Sequence, residues 1–142
     1  MGFNDAVDAL PGARLDAPVI ETSYGTEDGG DAFEELLARD PRLTAVVCGN
    51  DVLAVGVMAR ARSLGLRVPE DVSVTGFDDS ELAQIVAPPL TTVQVPHRDM
   101  GRIAALALLE MVEGKSAVMA KILETRLQMR ASLGAAPASG HD

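Results

Sequence analysis

The sequence predicts an α/β fold, a parallel sheet flanked by helices, and three observations carry that expectation. Apolar stripes at helical spacing alternate with short apolar runs along the chain, and repeated β-α alternation means parallel strands wrapped by helices. The run Thr44 to Cys48 is apolar enough to be covered on both faces, as a parallel sheet requires. The run Val72 to Phe77 leads straight into adjacent carboxylates, Asp78 and Asp79. Ligands of α/β proteins are read beyond the carboxyl ends of strands, so this acidic pair stands where a ligand would be met.

Each element has its own signal. Phe3, Ala6, Val7 and Leu10 fall on one face of a short helix that Pro11-Gly12 ends. Pro18 to Tyr24 reads as a strand, with Val19 and Ile20 its most apolar part. Thr26 can cap the next helix, with Glu27, Asp28 and Asp31 near its positive end. Phe33, Leu36 and Leu37 form its stripe, and Asp40-Pro41 stops it. After Thr44 to Cys48 and the turn Gly49-Asn50-Asp51, a helix runs from about Val52 to Leu64, closed by Gly65. Its first turns are apolar almost all round, whereas a helix lying on one sheet needs one apolar face, so the other face is expected as a subunit contact.

The third strand, Val72 to Phe77, is followed by a short helix from Asp79 to Val86 and a double proline, Pro88-Pro89. Thr91 to Val95 is extended. A helix from about Arg98 to Glu113 has only a narrow polar stripe, Asp99, Arg102, Glu110 and Glu113. From Ile122 to Arg130, Leu123, Thr125, Leu127 and Met129 alternate with polar residues, the pattern of a half-buried edge strand. Residues 135–142 read as a disordered tail.

Composition narrows the function. With 142 residues and 47% hydrophobic content the chain can build one real core, and no run approaches the roughly 18 apolar residues of a membrane span. Net charge is −9, from 21 acidic and 12 basic residues, and no basic helix offsets it. Such a surface repels polyanions, so nucleic acid is not an expected partner of this segment. No charged-then-apolar leader argues for export, and the single cysteine, Cys48, fits a reducing, cytoplasmic setting. Two histidines and one cysteine, far apart, do not make a transition-metal site, and no cofactor is implied.

The candidate ligand residues follow from strand ends. Asn50 follows one strand and Asp78 the next, so both should face one crevice, where a carboxylate accepts from hydroxyls and an amide both donates and accepts. That pairing suits a sugar or another small polar molecule. The plainer reading makes Asp51 and Asp79 helix caps, and it is preferred for those two. Tyr24 could stack on a ligand ring or pack on its own loop. His97 opens the long apolar helix as a cap or a ligand residue. An enzyme using Mg²⁺ on Asp51, Asp78 and Asp79 is the weaker alternative, because no phosphate loop, activated nucleophile or adjacent lysine accompanies them.

Three segments carry a resemblance: Thr44-Ala45-Val46-Val47-Cys48-Gly49-Asn50-Asp51, the stretch Pro69 to Asp79, and Pro88-Pro89-Leu90-Thr91-Thr92-Val93. Their wording resembles the effector-binding domain of LacI/GalR-family transcription regulators, from about Gly2 to Arg130. It is less similar to periplasmic solute-binding proteins of the same type I periplasmic-binding-protein-like fold, which remain an alternative. The resemblance implies that residues 1–134 are the second, C-terminal lobe alone, a partial Rossmann-like unit. It implies effector contacts at Asn50 and Asp78, with Tyr24 one residue off the family's aromatic. It also implies a homodimer or higher oligomer pairing through Val52, Val55, Met58 and Ala59. DNA would be reached only through a helix-turn-helix that this sequence does not contain. The first lobe and the lobe's own first strand have no counterpart here, and the helix within residues 97–114 would pack on that first lobe.

Overall fold

The computed structural model describes Gly2, Asp5, Ala6, Ala9 and residues 18–115 and 120–135. Among the described residues the elements are α1 (Thr26–Arg39), β1 (Ala45–Val47), α2 (Asp51–Ser63), β2 (Ser73–Thr75), α3 (Glu81–Ile85), β3 (Thr92–Gln94), α4 (His97–Val112) and β4 (Arg126–Gln128). The expected helix Phe3 to Leu10 falls largely outside the described residues, and the expected tail does so beyond Ala135.

β1 and β2 pair in parallel, with Val46 beside Val74. Parallel bridges Thr75–Thr91 and Asp78–Gln94 carry the ladder on to β3, and β4 pairs antiparallel with β3, Val93 facing Leu127. The order in space is therefore β1, β2, β3, β4, parallel until the last strand. Ser132, fully buried, closes the gap between β2 and β3. Its hydroxyl donates to the Val74 carbonyl at 2.6 Å and accepts from the Thr91 N–H at 2.8 Å.

The core lies on one side of this sheet. Val46, Cys48, Val72 and Val74 meet Ala54, Val57, Met58 and Ala61 of α2, with Phe33 of α1, Ala83 and Leu90 completing it. α1 lies across α2 at very short range because glycine stands at the crossing. A Cβ on Gly56 would come within 1.9 Å of the Thr26 carbonyl oxygen, and one on Gly29 within 2.4 Å of that of Leu53. Part of the all-round apolar character of α2 is thereby explained inside the chain: one face meets the sheet and another meets α1. Met58, expected at a subunit contact, is only 3% exposed and belongs to the core.

Other expectations give way for local reasons. Pro18 to Ser23 carries no regular secondary structure and pairs with no described strand, and an apolar groove separates its first residues from β1. Thr26 is the first residue of α1 and not its cap; Gly25 is the cap, its N–H bonded by the Asp28 carboxylate at 2.9 Å. β1 is covered on one face, with Val46 and Cys48 buried and Val47 63% exposed. In β4 the alternation runs opposite to expectation. Leu127 and Met129 face outward, while Gln128 and Arg130 turn inward because polar partners wait there.

The second half of the chain is built differently. α4 has no buried residue, and Met100, Leu106, Leu108, Leu109, Met111 and Val112 are all exposed. None of the described helices is long and apolar enough to cross a membrane.

Candidate functional site

The crevice forms at the carboxyl ends of β1 and β2. The Asp51 N–H donates to the Phe77 carbonyl at 2.9 Å, which sets the turn after β1 beside the turn after β2. Asn50 and Asp78 accordingly stand on neighbouring strand tips. Asn50 has extended backbone and caps α2, its Oδ1 accepting from the Leu53 N–H at 2.8 Å. Its amide nitrogen carries no bond in the structure and is the donor left to meet a ligand. Asp51, expected as the cap, is instead the first residue of α2 and 1% exposed.

Asp51 holds the neighbouring turn. Its carboxylate accepts from the Ser80 N–H at 2.7 Å and from the Thr92 hydroxyl at 2.5 Å. One buried side chain thus ties α2 to the start of α3 and to β3. Asp79 is no cap either, since Ser80 precedes α3. Its buried carboxylate pairs with Arg130 and accepts from Gln94 Nε2 at 3.0 Å. Arg130 also donates to the Leu90 carbonyl at 2.9 Å, so it bridges the turn after β2 to the strands that follow.

This scaffold supports strained backbone. Asp78 and Asp79 have φ of 113° and 56°, values that side chains with a Cβ adopt at a cost of about 1–3 kcal/mol each and that persist where surrounding bonds over-determine them. Here the Asp78 N–H donates to the Val93 carbonyl at 2.9 Å, and Asp79 is gripped as described. The strain turns the half-exposed Asp78 carboxylate outward, where Oδ1 lies 3.6 Å from His97 Nε2. The imidazole belongs to the first turn of α4, immediately after β3.

The structure therefore brings Asp78 and His97 into one pair and sets Asn50 on the adjoining strand tip. Tyr24 stands exposed just before α1, and no described hydrogen bond joins it to that group. Thr92, Gln94 and Arg130 were missed by sequence reasoning, because their roles depend on strands that meet only in the fold. The rim offers a carboxylate, an imidazole and an amide, a set that exchanges hydrogen bonds with hydroxyl-rich molecules. Cys48 adds no nucleophile: burial first, and the Asp51 carboxylate second, push its thiol up to about 12.

A hydrogen-bonding rim thus stands at parallel strand tips, beside a strand that leads into an uncovered helix. The chain belongs to the family described as the periplasmic binding protein-like domain, which matches residues 2–133. Its relatives are LacI-type regulators. It is 42% identical over 130 residues to the HTH-type transcriptional regulator MalR of Streptomyces coelicolor, a match covering 90% of this chain and 37% of that protein. A sugar-binding transcriptional regulator of the LacI family from Escherichia coli, solved with phosphate, superposes with a TM-score of 0.83 at 32% identity, covering 96% of this chain and 49% of the other. A LacI family regulator from Enterococcus faecium with bound ribose gives the same TM-score at 29% identity, covering 93% and 49%. The chain spans well under half the length of the curated relatives it matches, 37% in the case of MalR.

Proposed function

We propose that this chain is the effector-sensing lobe of a LacI-type transcriptional regulator, with a carbohydrate or similar small polar molecule as effector. The Asp78–His97 pair at the strand tips carries the reading. It joins the turn after β2 to the first turn of α4, so a ligand held there touches both the sheet and the segment leading away from it. Asp78 accepts from ligand hydroxyls, His97 and the Asn50 amide nitrogen supply donors, and Arg130, Asp79 and Asp51 hold Asp78 in place. The lobe is a binding module and not an enzyme, in keeping with relatives named as regulators. It works in the cytoplasm, and DNA is contacted by other parts of the regulator, since a net charge of −9 repels a polyanion.

Self-association is part of the same proposal. Val52, Val55 and Ala59 remain at least partly exposed on α2 after Met58 is assigned to the core, and they form the contact between copies.

Saturation-transfer NMR of the chain with ribose and with cellobiose tests the site. Weak, millimolar-range binding that Asp78→Asn removes while thermal melting is unchanged is the expected result, because one wall of a cleft gives partial contacts. Binding that Asp78→Asn leaves intact, or retardation of duplex DNA by the chain alone, would sink the reading.

A further inference from the structure

A second hollow opens at the far end of α2 from the strand-tip rim. α2 ends at Ser63, and Gly65, with φ of 80°, turns the chain back so that the Leu66 N–H bonds to the Ala61 carbonyl at 2.9 Å. Asp71 fixes the next turn, its carboxylate accepting from the Arg67 backbone N–H at 2.8 Å and from Nε at 2.7 Å. Arg62 reaches across and donates to the Ala87 carbonyl. Three segments thereby enclose a hollow of about 290 Å³, lined by Met58, Arg62, Leu66, Val68, Glu70 and Pro88 among others. Met58, only 3% exposed, carries it down to the core. Arg62 stands twelve residues beyond Asn50, about 18 Å along the helix axis at 1.5 Å per residue. The two sites are therefore separate.

We infer that this hollow binds a free α-amino acid with an aliphatic side chain. The charges lining it are sorted in a way that suits a zwitterion. Arg67 is held by Asp71, whereas among the described residues no ion pair engages Arg62 or Glu70. A guanidinium has five N–H donors, so Arg62 keeps donors for a carboxylate beyond the one bonded to Ala87. Glu70 accepts from the ammonium, and the negative carboxyl end of α2 favours a cation at the same place. Met58, Leu66, Val68 and Pro88 receive the aliphatic chain. Size agrees, because ligand hollows run from about 300 Å³ upwards and this one is at the small end, too small for a disaccharide. A phosphate would meet Glu70 and the helix carboxyl end with like charge. A purely apolar molecule would leave both charged groups unmatched.

The test titrates the full chain with L-leucine and reads the methyl signals of Met58, Leu66 and Val68 by NMR. Two capped forms serve as controls: N-acetyl-leucine, which lacks the ammonium, and leucinamide, which lacks the carboxylate. The expected result is a saturable shift at all three residues, half complete at about 1 mM leucine, and at least fivefold weaker binding of each capped form. Arg62→Gln and Glu70→Gln should each weaken leucine about tenfold. Glu70→Gln breaks no described bond, so it carries the test if Arg62→Gln disturbs the Ala87 contact and lowers the melting temperature. Asp78→Asn should leave leucine binding unchanged. No saturable shift at tens of millimolar leucine, or a capped form binding as tightly as leucine, would overturn the inference. So would loss of leucine binding in Asp78→Asn, which would place the amino acid at the strand-tip rim. Signals at Met58 and Leu66 that move with protein concentration and not with leucine would also overturn it, assigning the hollow to a second copy.

Discussion

Two helices of nearly the same apolar character meet opposite fates in this molecule. α2 buries Ala54, Gly56, Val57, Met58 and Ala61 between the sheet and α1, whereas α4, apolar around most of its circumference, buries nothing. Apolar composition alone therefore does not say whether a helix is core. What distinguishes them is a neighbour shaped to receive the face. α1 brings Gly29 and Gly30 to α2, and α2 answers with Gly56. No described element does this for α4. Each exposed leucine on α4 forgoes about 1.5–3 kcal/mol of burial, and patches of this kind are characteristically interaction surfaces.

Glycine substitutions expose the contrast most sharply. Gly56→Ala places a methyl against the Thr26 carbonyl, a contact that backbone must move to relieve, and the expected loss is about 3 kcal/mol or more in urea unfolding. Gly101→Ala in α4 meets nothing within 4 Å; it should raise helix content, with a gain of up to about 1 kcal/mol. Equal effects at the two positions would mean that the α1–α2 crossing is looser than described.

Cys48 sharpens the picture of the packed half. Its thiol is raised from 9.0 to about 12, chiefly by burial. The unfolded chain releases that proton first, so the contribution to stability is fully present below pH 9 and is lost as pH rises towards about 12. Between those limits the native chain should lose about 1.4 kcal/mol per pH unit relative to a Cys48→Ala variant. Alkylation by iodoacetamide at pH 8 should be negligible until the chain unfolds. Rapid native alkylation would show that the core around β1 opens readily.

The exposed half answers to a different perturbation. Light scattering of the chain should report self-association, and Leu108→Glu with Leu109→Glu should lower the mean mass without changing the free energy of urea unfolding by more than about 0.5 kcal/mol. A free energy that falls by much more would mean that α4 is packed within the monomer after all.

This division also marks how far the residues could be read in sequence. Period-3.6 stripes and short apolar runs located every described helix and each paired strand, because those signals are local. Pro18 to Tyr24 failed as a strand because a strand exists only where a neighbour pairs with it. The apolar circumference of α2 exceeds what one sheet needs, and Gly29, Gly30 and Gly56 are a readable sign that α1 takes up part of it in close approach. That Asn50 and Asp78 stand at neighbouring strand ends was legible from their positions after apolar runs. The roles of Asp51 and Asp79 were not, since each carboxylate is satisfied by residues from β3 or beyond, Thr92 for one and Gln94 with Arg130 for the other. Arg130 was read as the solvent side of an amphipathic strand. Its inward turn is set by a buried carboxylate far away in sequence.

The smallest effect separates two surface ion pairs, one in each half. In the turn between α2 and β2, Arg67 donates to the Asp71 carboxylate through Nε at 2.7 Å, through its guanidinium at 2.6 Å and through its backbone N–H at 2.8 Å. Those bonds, the side-chain ones foremost, lower the Asp71 carboxyl from 3.8 to about 2. A carboxyl lowered in the folded state stabilises above its unfolded value, and that contribution disappears as pH falls from 3.8 towards about 2. On α4, Arg102 reaches Asp99 through one bond of 3.2 Å. Arg67→Met should therefore flatten the acid limb of the melting-temperature curve, and at neutral pH it should lower the melting temperature more than Arg102→Met, which removes one bond where Arg67 makes three. An equal response at the two sites would show that exposure to solvent, and not the bonding of each carboxylate, governs both pairs.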